Sequence, residues 1–371
     1  MKNIHTLIFT NQANYDLKEL TEVRSMSAVP YGGRFRMIDF MLSNCVNAGI
    51  TDIGVVLEQN YQSLLDHIGT GKHWDLARRR GGLRLLPPFS MKSSSSSGHV
   101  RGRMEALSSL GSYLEQIRQE YVLLTDGDIA LNIDLSKVYE QHLATGADIT
   151  IVCVPNHIGD PKLTTYVIPA EDGSIADILE KPDEANGLEY ISMALLSKQL
   201  LVEVNKTCAA HNQYSFSNDV LVGMKDKLKI VPYVFNGYCA RFTSVASYYE
   251  KSMDLLKPEV RDELFDADHP IRSKDRTDAP TYYAPGSQVK NSMIADGCVV
   301  EGTVENSILF RNVTIAKGAV VKNSILMKGV VVGENAQVNC TIADKDVTVS
   351  PNGNLSGHPN YPLLIAKGSQ V

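Results

Sequence analysis

Short apolar runs alternate with longer helical stretches from Met1 to about Leu256. The runs predict strands at residues 6–10, 53–57, 121–125 and 148–154. The stretches between them predict helices at residues 39–48, 61–67 and 104–119. Alternation of this kind is typical of a doubly wound α/β domain, in which helices cover both faces of a parallel sheet. We therefore expect an α/β domain over residues 1–256.

The spacing of the apolar residues changes beyond residue 288. From there, small β-branched residues recur about every six positions, with glycine or asparagine at the corners. This spacing predicts a left-handed parallel β-helix of hexapeptide repeats over residues 286–371. The charged residues 257–285 are expected to form a connector. An antiparallel β-sandwich is the alternative, but the Asn-Ser pairs at 291–292, 306–307 and 323–324 favour the solenoid. The expected inward-facing positions are Val289, Ile294, Val300, Val304 or Ile308, Val313, Ala319, Ile325, Val330, Ala336 and Ile342.

Residues 81–98 contain Pro87, Pro88 and five consecutive serines, and the serine run offers no apolar side chain to bury. The composition predicts a flexible loop near the mouth of a site, where it would serve as a candidate lid. An artificial linker is the alternative interpretation.

Charge and cysteine content narrow the classes of function. A net charge of -6 and a pI near 5.9 provide no basic excess for a nucleic-acid backbone, so no nucleic-acid partner is expected. The apolar run at the N-terminus ends at Asn11, too early for a signal peptide or a membrane span, and we expect a cytoplasmic protein. The six cysteines form no CxxC pair and predict buried thiols rather than a zinc site.

Several blocks then occur in a fixed order along the chain. They are VPYGGRFRMIDFMLSNCVNAGI at 29–50, HIGTGKHWDLARRRGGLRLLPP at 67–88, LEKPDEA at 179–185, GYCARFTSVASYYEKSMDLL at 237–256, and VENSILF and GAVVKNSI within the repeats. Together they resemble the glucose-1-phosphate adenylyltransferase (ADP-glucose pyrophosphorylase) family of bacterial glycogen biosynthesis over nearly the whole chain. The resemblance implies a Rossmann-like nucleotidyltransferase domain followed by the β-helix. The family's reaction converts ATP and glucose-1-phosphate to ADP-glucose and diphosphate with magnesium.

The chain departs from this resemblance where the family binds the triphosphate. The family pattern AGGxGTRL, followed by LTxxRAKPAV, is replaced by TNQANYDL at residues 10–17, and Met26 stands at the lysine. Glycines let backbone N–H groups approach phosphate oxygens, and the lysine balances pyrophosphate charge. The resemblance thus implies that adenylyl transfer is lost.

The two aspartates that hold magnesium in the family are the second departure. The first matches Asp128, with Asp126 as an additional acid, and the second falls at Arg241. Each unit pair at 4 Å is worth roughly 4 kcal/mol at an effective dielectric near 20, so a cation at this place opposes a divalent ion. We expect no catalytic residue and no metal in this chain, with Asp128 vestigial. The aspartates as turn caps and Arg241 as a surface residue are the structural alternatives.

Other matched positions are retained. The resemblance implies a sugar-side role for Glu180, Lys181, Ser192 and Asp219, and a base contact for Gln59 as a nucleotide-side remnant. A purely structural role for these residues, in holding the fold, is the alternative. Arg34 and Arg36, with the arginines at 78–80, form a candidate anionic effector site, for which a solvated charged face is the alternative.

The closest resemblance is to the noncatalytic, regulatory GlgD-type subunit. It implies a regulatory subunit that assembles with a homologous, GlgC-type catalytic subunit and activates it, as a heterotetramer, or forms a homo-oligomer when isolated. Magnesium would then act only in the catalytic partner. An active adenylyltransferase with displaced residues is the first alternative. A hexapeptide acyltransferase is the second, and the absence of histidine between His269 and His358 speaks against it. The residues leave open whether the chain is itself an enzyme.

Overall fold

A computed structural model describes residues 1–10, 17–87, 100–171 and 174–371. The helices are α1 Glu19–Glu22, α2 Met37–Asn47, α3 Gln62–Ile68, α4 Arg103–Ser109, α5 Gly111–Gln116, α6 Leu135–Thr145, α7 Lys198–Ala210, α8 Val245–Asp254 and α9 Pro258–Leu264. The strands of the first domain are β1 Ile4–Phe9, β2 Pro30–Tyr31, β3 Phe35–Arg36, β4 Asp52–Val56, β5 Gly82–Leu86, β6 Tyr121–Asp126, β7 Ile129–Leu131, β8 Ile149–Val154, β9 Thr165–Pro169, β10 Ile175–Glu180, β11 Leu188–Ser197, β12 Ile230–Val234 and β13 Cys239–Arg241.

The central sheet of this domain runs in the order β10-β9-β11-β6-β1-β4-β5, with β8 beside β11 and β12 beside β8. Strand β1 is buried along its whole length, and its side chains alternate between two apolar clusters. Ile4 and Ile8 enter one cluster, whereas Leu7 and Phe9 enter the other, as a period of two requires. Helices therefore cover both faces of the sheet, which confirms the Rossmann-like α/β fold.

The sheet is parallel from β5 through β4 and β1 to β6, and again between β8 and β12. Strand β11 is antiparallel to β6, β8 and β9, so the expectation of a wholly parallel sheet was wrong. The predicted helix over 104–119 is two helices, because Leu110 leaves helical geometry at φ -96° and ψ 15°. Strand β5 lies inside the segment predicted as an irregular loop, and residues 88–99, with the serine run, lie outside the described residues.

Three ladders of short parallel strands form the second part of the chain. In one ladder Val299 pairs with Thr314 and Thr314 with Val331, so each coil stacks on the next. Parallel pairing in three faces confirms the β-helix and excludes the sandwich. The first solenoid strand, Tyr282–Tyr283, lies inside the segment expected as a connector, so the solenoid begins before residue 286. Its strands are β14 Tyr282–Tyr283, β15 Gln288–Lys290, β16 Met293–Ile294, β17 Val299–Val300, β18 Thr303–Glu305, β19 Ile308–Leu309, β20 Thr314–Ile315, β21 Val320–Lys322, β22 Ile325–Leu326, β23 Val331–Val332, β24 Gln337–Asn339, β25 Thr341–Ala343, β26 Thr348–Val349, β27 Asn354–Ser356 and β28 Leu363–Ile365.

One corner of the solenoid is a ladder of asparagines. Asn291, Asn306 and Asn323 adopt φ of 44°, 46° and 47°, a left-handed conformation that asparagine tolerates better than most residues. The Asn291 amide donates to Asn306 Oδ1 at 2.8 Å, and that of Asn323 donates to Asn339 Oδ1 at 3.0 Å. The Asn-Ser pairs singled out in the sequence thus turn the chain and tie neighbouring coils together.

The α/β domain and the β-helix share a hydrophobic cluster, which we call the interdomain core. Ile308, Ile325 and Ile342 of the solenoid pack in it with side chains that include Met26 and Phe242 of the first domain. An ion pair also crosses the junction, because both Nη atoms of Arg24 donate to the Asp344 carboxylate at 3.0 and 2.7 Å. The Arg24 side chain is 2% exposed and that of Asp344 0%. The two parts are therefore joined by both apolar and ionic contacts.

Two further expectations concern the cysteines and membrane-spanning helices. All six cysteines are buried and none forms a disulfide, as their scattered positions predicted. Within the described ranges, no helix combines the length and apolar character needed to cross a membrane.

Candidate active site

A cavity of about 250 Å³ lies at the carboxyl ends of the parallel strands β1, β4 and β6. Phe9 ends β1, Glu58 follows β4, and Asp126 ends β6, and all three line the cavity. Ligands of open α/β sheets bind at this edge, where loops leave the strands. The cavity is therefore the candidate active site.

Arg241 lines this cavity and lies beside two acidic residues, Asp126 and Asp128. Strand β13 pairs with β7 so that Arg241 lies opposite Ile129, which brings its side chain next to the turn that follows β6. Its Nη2 lies 3.5 Å from Asp126 Oδ2 and 4.0 Å from Asp128 Oδ1, and it donates to the Ile191 carbonyl at 3.0 Å. Arg241 is 1% exposed, so it is not the surface residue of the alternative interpretation.

A second arginine, Arg103 of α4, contacts Asp126 as well. Its Nη2 donates to Asp126 Oδ1 at 2.5 Å and its Nη1 to the Ser192 carbonyl at 3.2 Å. The guanidinium also lies over the Phe9 ring, 4.8 Å from the centroid. Sequence analysis missed Arg103, because a single arginine at the start of a helix belongs to no motif.

These residues do not fit the divalent ion that the family resemblance implies. An ion bridging Asp126 and Asp128 would meet the Arg241 guanidinium, and the buried like charges would repel each other. Burial, assisted by Asp126, raises the pKa of Asp128 to about 6 although Arg241 lowers it, which weakens this carboxyl as an anionic ligand. Within the described ranges, no group of three His, Cys, Asp or Glu residues is placed to hold a metal.

Glu58 is a further acid that sequence analysis missed. Burial, with a contribution from Asp126, raises the pKa of Glu58 to about 7, whereas Arg103 lowers it. The carboxyl is thus partly protonated near neutral pH, which removes negative charge from the cavity wall. The sequence did offer one signal for Glu58, which is its position just after the buried strand β4, at the end where the parallel strands terminate.

Three of the four residues assigned to the sugar side line the cavity, namely Glu180, Lys181 and Ser192. Lys181 and Ser192 have φ of 50° and 61°, and Ser192 lies where the β11 register shifts against β8. The fourth, Asp219, is not among the lining residues. Its carboxylate accepts the N–H groups of Tyr214 and Ser215 at 2.7 and 2.8 Å, and so positions Ser215, which does line the cavity.

The nucleotide-side residues are not brought to this cavity. Met26 is 3% exposed and belongs to the interdomain core. Gln59 is exposed and is not among the lining residues. The glycine-free segment falls at residues 11–16, outside the described part of the chain.

The effector residues Arg34 and Arg36 line a second, smaller cavity of about 60 Å³ at the junction with the β-helix. Burial lowers the pKa of Arg36 to about 10, and burial with the charges of Arg36 and Arg24 lowers that of Lys345 to about 7. The arginines at 78–80 are exposed and are not part of this junction pocket. Its basic lining residues are Arg34, Arg36, Lys274, Arg276, Arg311, Lys328 and Lys345.

Comparison with known proteins agrees with this architecture. Residues 16–238 match the family model described as Nucleotidyl transferase. Residues 282–359 match the model described as GlmU-like, C-terminal hexapeptide. The second match begins at the first solenoid strand.

The chain is also similar to curated proteins along most of its length. It is 36% identical over 314 residues to the glucose-1-phosphate adenylyltransferase of Geobacillus stearothermophilus, covering 82% of this chain and 79% of the relative. It is 32% identical over 325 residues to the protein of the same name from Clostridium perfringens strain SM101, covering 86% and 83%. The corresponding protein of Pseudothermotoga lettingae is 32% identical over 328 residues, covering 86% and 77%.

Proposed function

The chain belongs to the glucose-1-phosphate adenylyltransferase family, and we propose that within it the chain is a regulatory subunit that does not itself transfer an adenylyl group. It assembles with a homologous catalytic subunit and raises that subunit's activity in glycogen biosynthesis. Magnesium then acts in the catalytic partner.

The position of Arg241 is the observation that carries this proposal. A guanidinium lies 3.5 Å from Asp126 and 4.0 Å from Asp128, and Arg103 lies 2.5 Å from Asp126. Transfer from a triphosphate needs a divalent ion to neutralise charge on the phosphates. Two fixed cations beside the acids oppose such an ion. Residues 10–17 contain none of the glycines that let backbone N–H groups approach triphosphate oxygens.

A regulatory role needs a route between this chain and its partner, and the junction pocket supports one. An anionic effector bound by Arg34, Arg36 and Lys345 would contact both the α/β domain and the solenoid. Asp344, the neighbour of Lys345, holds Arg24 of the first domain. A ligand here changes partner activity only if it binds the activating arrangement of the two parts better than the other.

An active adenylyltransferase is the second candidate, and the names of the relatives favour it, because the matches cover most of both chains. In that case the acids Glu58 and Asp126 would have to work with a metal held elsewhere. The two candidates differ in what the isolated chain does.

The test is pyrophosphate release from ATP and glucose-1-phosphate with magnesium. It is measured for this chain alone, for the catalytic homologue alone, and for the two together. We expect no turnover above background from the isolated chain and a higher rate from the mixture than from the homologue alone. Turnover by the isolated chain at a rate similar to that of the homologue would establish the second candidate. A mixture no faster than its catalytic member would reject activation.

A further inference from the structure

We propose that Lys345 is a modification site, at which dissolved carbon dioxide adds to Nζ and leaves a carbamate anion inside the junction pocket. The inference goes beyond the proposed function, because the modification requires neither a catalytic partner nor an effector. The junction pocket suits this chemistry in three respects. Its wall is cationic, its volume is small, and the Lys345 side chain is half-buried within it.

The wall of the pocket carries positive charge and no acid. Seven of its lining residues are Lys or Arg, and none is Asp or Glu. Asp344 and Asp278 lie outside the lining, and they pair with Arg24 and Arg311 respectively. His67 also lines the pocket, but burial lowers the pKa of its imidazole, so it adds little charge near neutral pH. Like charges around one cavity repel each other, so a negative group formed there is favoured.

Lys345 is the lining residue that supplies a neutral amine. Burial is the largest cause that lowers the pKa of Lys345 to about 7, followed by the charges of Arg36 and Arg24. Lys367 acts in the same direction, whereas Asp344 opposes it. An ordinary lysine is neutral in only about one molecule in 2,500 at pH 7. About half of the Lys345 side chains are neutral at that pH, and only the neutral amine has the lone pair that attacks carbon dioxide.

The reaction needs no reagent besides carbon dioxide. Nζ bonds to the carbon atom, one C=O electron pair moves onto an oxygen, and a proton leaves Nζ for the solvent. The cavity volume of about 60 Å³ equals the space of about two water molecules in the liquid, which accommodates the three added atoms. Arg34 and Arg36 line the same cavity, and guanidinium groups match the paired oxygens of a planar carboxylate.

The test is carbon-13 NMR of the full-length chain, with labelled bicarbonate as the source of dissolved carbon dioxide. We expect a carbamate resonance that is missing from Lys345→Arg, which keeps a positive charge but offers no neutral amine. Lys317→Arg, at an exposed solenoid lysine outside the pocket, is the matched control and should keep the resonance. Chain α-amino groups also form carbamates, so the signal counted is the difference between the unaltered chain and Lys345→Arg.

The pH dependence of the resonance tests which form of Lys345 reacts. At constant dissolved carbon dioxide, the signal should grow more than tenfold from pH 6 to pH 8, because the amine is charged below a pKa of about 7 and neutral above it. Alkylation of the carbamate with an oxonium salt, followed by peptide mass spectrometry, locates the modification in the unaltered chain. This measurement does not depend on how well any variant folds.

Competition with an anion tests the place of the carbamate. At pH 7, saturating carbon dioxide should weaken sulfate binding by the chain about fivefold and leave that of Lys345→Arg unchanged, since both anions use the same cations. An unchanged sulfate affinity in the unaltered chain would overturn the placement in the pocket. No carbamate on Lys345, an equal resonance in Lys345→Arg, or equal signals at pH 6 and pH 8 would each overturn the inference. Failure to activate a catalytic homologue refutes the proposed function alone.

Discussion

Neutralising Asp344 should destabilise the whole protein, because it leaves the Arg24 guanidinium buried without its counter-charge. The two atoms of Arg24 lie 3.0 and 2.7 Å from the carboxylate, and the side chains are 2% and 0% exposed. At these distances the gross attraction is roughly 6 kcal/mol at an effective dielectric of 20. Most of it offsets the cost of removing both ions from water. Removing one partner of such a pair typically costs about 3–5 kcal/mol.

We therefore expect Asp344→Asn to lower the free energy of unfolding by about 3 kcal/mol. With a urea dependence of about 3 kcal/mol per molar, the midpoint should fall by about 1 M. Trp74, the one tryptophan of the chain, is buried in the α/β domain and reports on that domain by fluorescence. Far-UV circular dichroism reports on both parts, so the two signals together show whether the domains still unfold together.

A double-mutant cycle separates the ion pair from the shape of the site. Arg24→Met alone should cost about as much as Asp344→Asn, since it leaves a buried carboxylate. The combination should cost less than the sum by about 2 kcal/mol, because no charge is then left unpaired. Glu115→Gln is the control, since the Glu115–Lys206 pair is 63% and 70% exposed, and it should cost less than about 1 kcal/mol. An Asp344→Asn variant as stable as this control, or strict additivity in the cycle, would refute the reasoning.

Four further outcomes follow from the structure. Arg241→Asp alone should not give pyrophosphate release, because the loop glycines are still missing; robust turnover would show that Arg241 was the only obstacle. Val330→Asp places a charge at a fully buried coil position and should abolish co-elution with the catalytic homologue on size-exclusion chromatography. The control Val331→Asp changes a side chain that is 39% exposed and should still co-elute, and equal co-elution of both variants would contradict assembly through the solenoid. Asn323→Gly keeps the positive φ accessible, so it should lower the free energy of unfolding by about 1 kcal/mol less than Asn323→Ala does. The reverse order would contradict the corner geometry. Burial lowers the pKa of Lys345 to about 7, so its ammonium is charged below that pH and neutral above it, and sulfate binding at the junction pocket should weaken as the pH rises through 7. Lys345→Gln should bind sulfate with no such pH dependence, and the same flat profile in the unaltered chain would argue against contact between Lys345 and the anion.

The repetitive half of the fold was the part most open to prediction. Every coil repeats the same local requirement, a small buried residue followed by a tight corner, and the predicted inward-facing residues Val300, Val313 and Ala319 are fully buried. Val289, predicted to face inward in the same way, is exposed instead. The α/β half was predictable in its buried strands, because β1 and β6 are rich in apolar residues. Strand β5 was not, because Arg84 and flanking glycines and prolines hide a strand at the sheet edge that is only partly buried.

The candidate site was predictable only where a residue belongs to a block. Arg241 and Asp128 were found because they stand at positions with a known chemistry. Arg103 and Glu58 were missed because their importance arises from Asp126, which is distant in sequence: Arg103 donates a hydrogen bond to it, and its charge raises the pKa of Glu58. Met26 shows the opposite limit: its type indicated a lost charge, but not that the side chain packs in the interdomain core.

The interdomain core has a consequence for the order in which the chain is made. Its buried first-domain members lie between residues 17 and 264, whereas Ile325 and Ile342 are translated after all of them. Until the solenoid isoleucines are made, the apolar side chains around Phe40 and Phe242 lack part of their packing partners, and the newly made segment is open to aggregation. A chain truncated before Ile308 should therefore lose solubility, although it keeps every residue that lines the candidate active-site cavity.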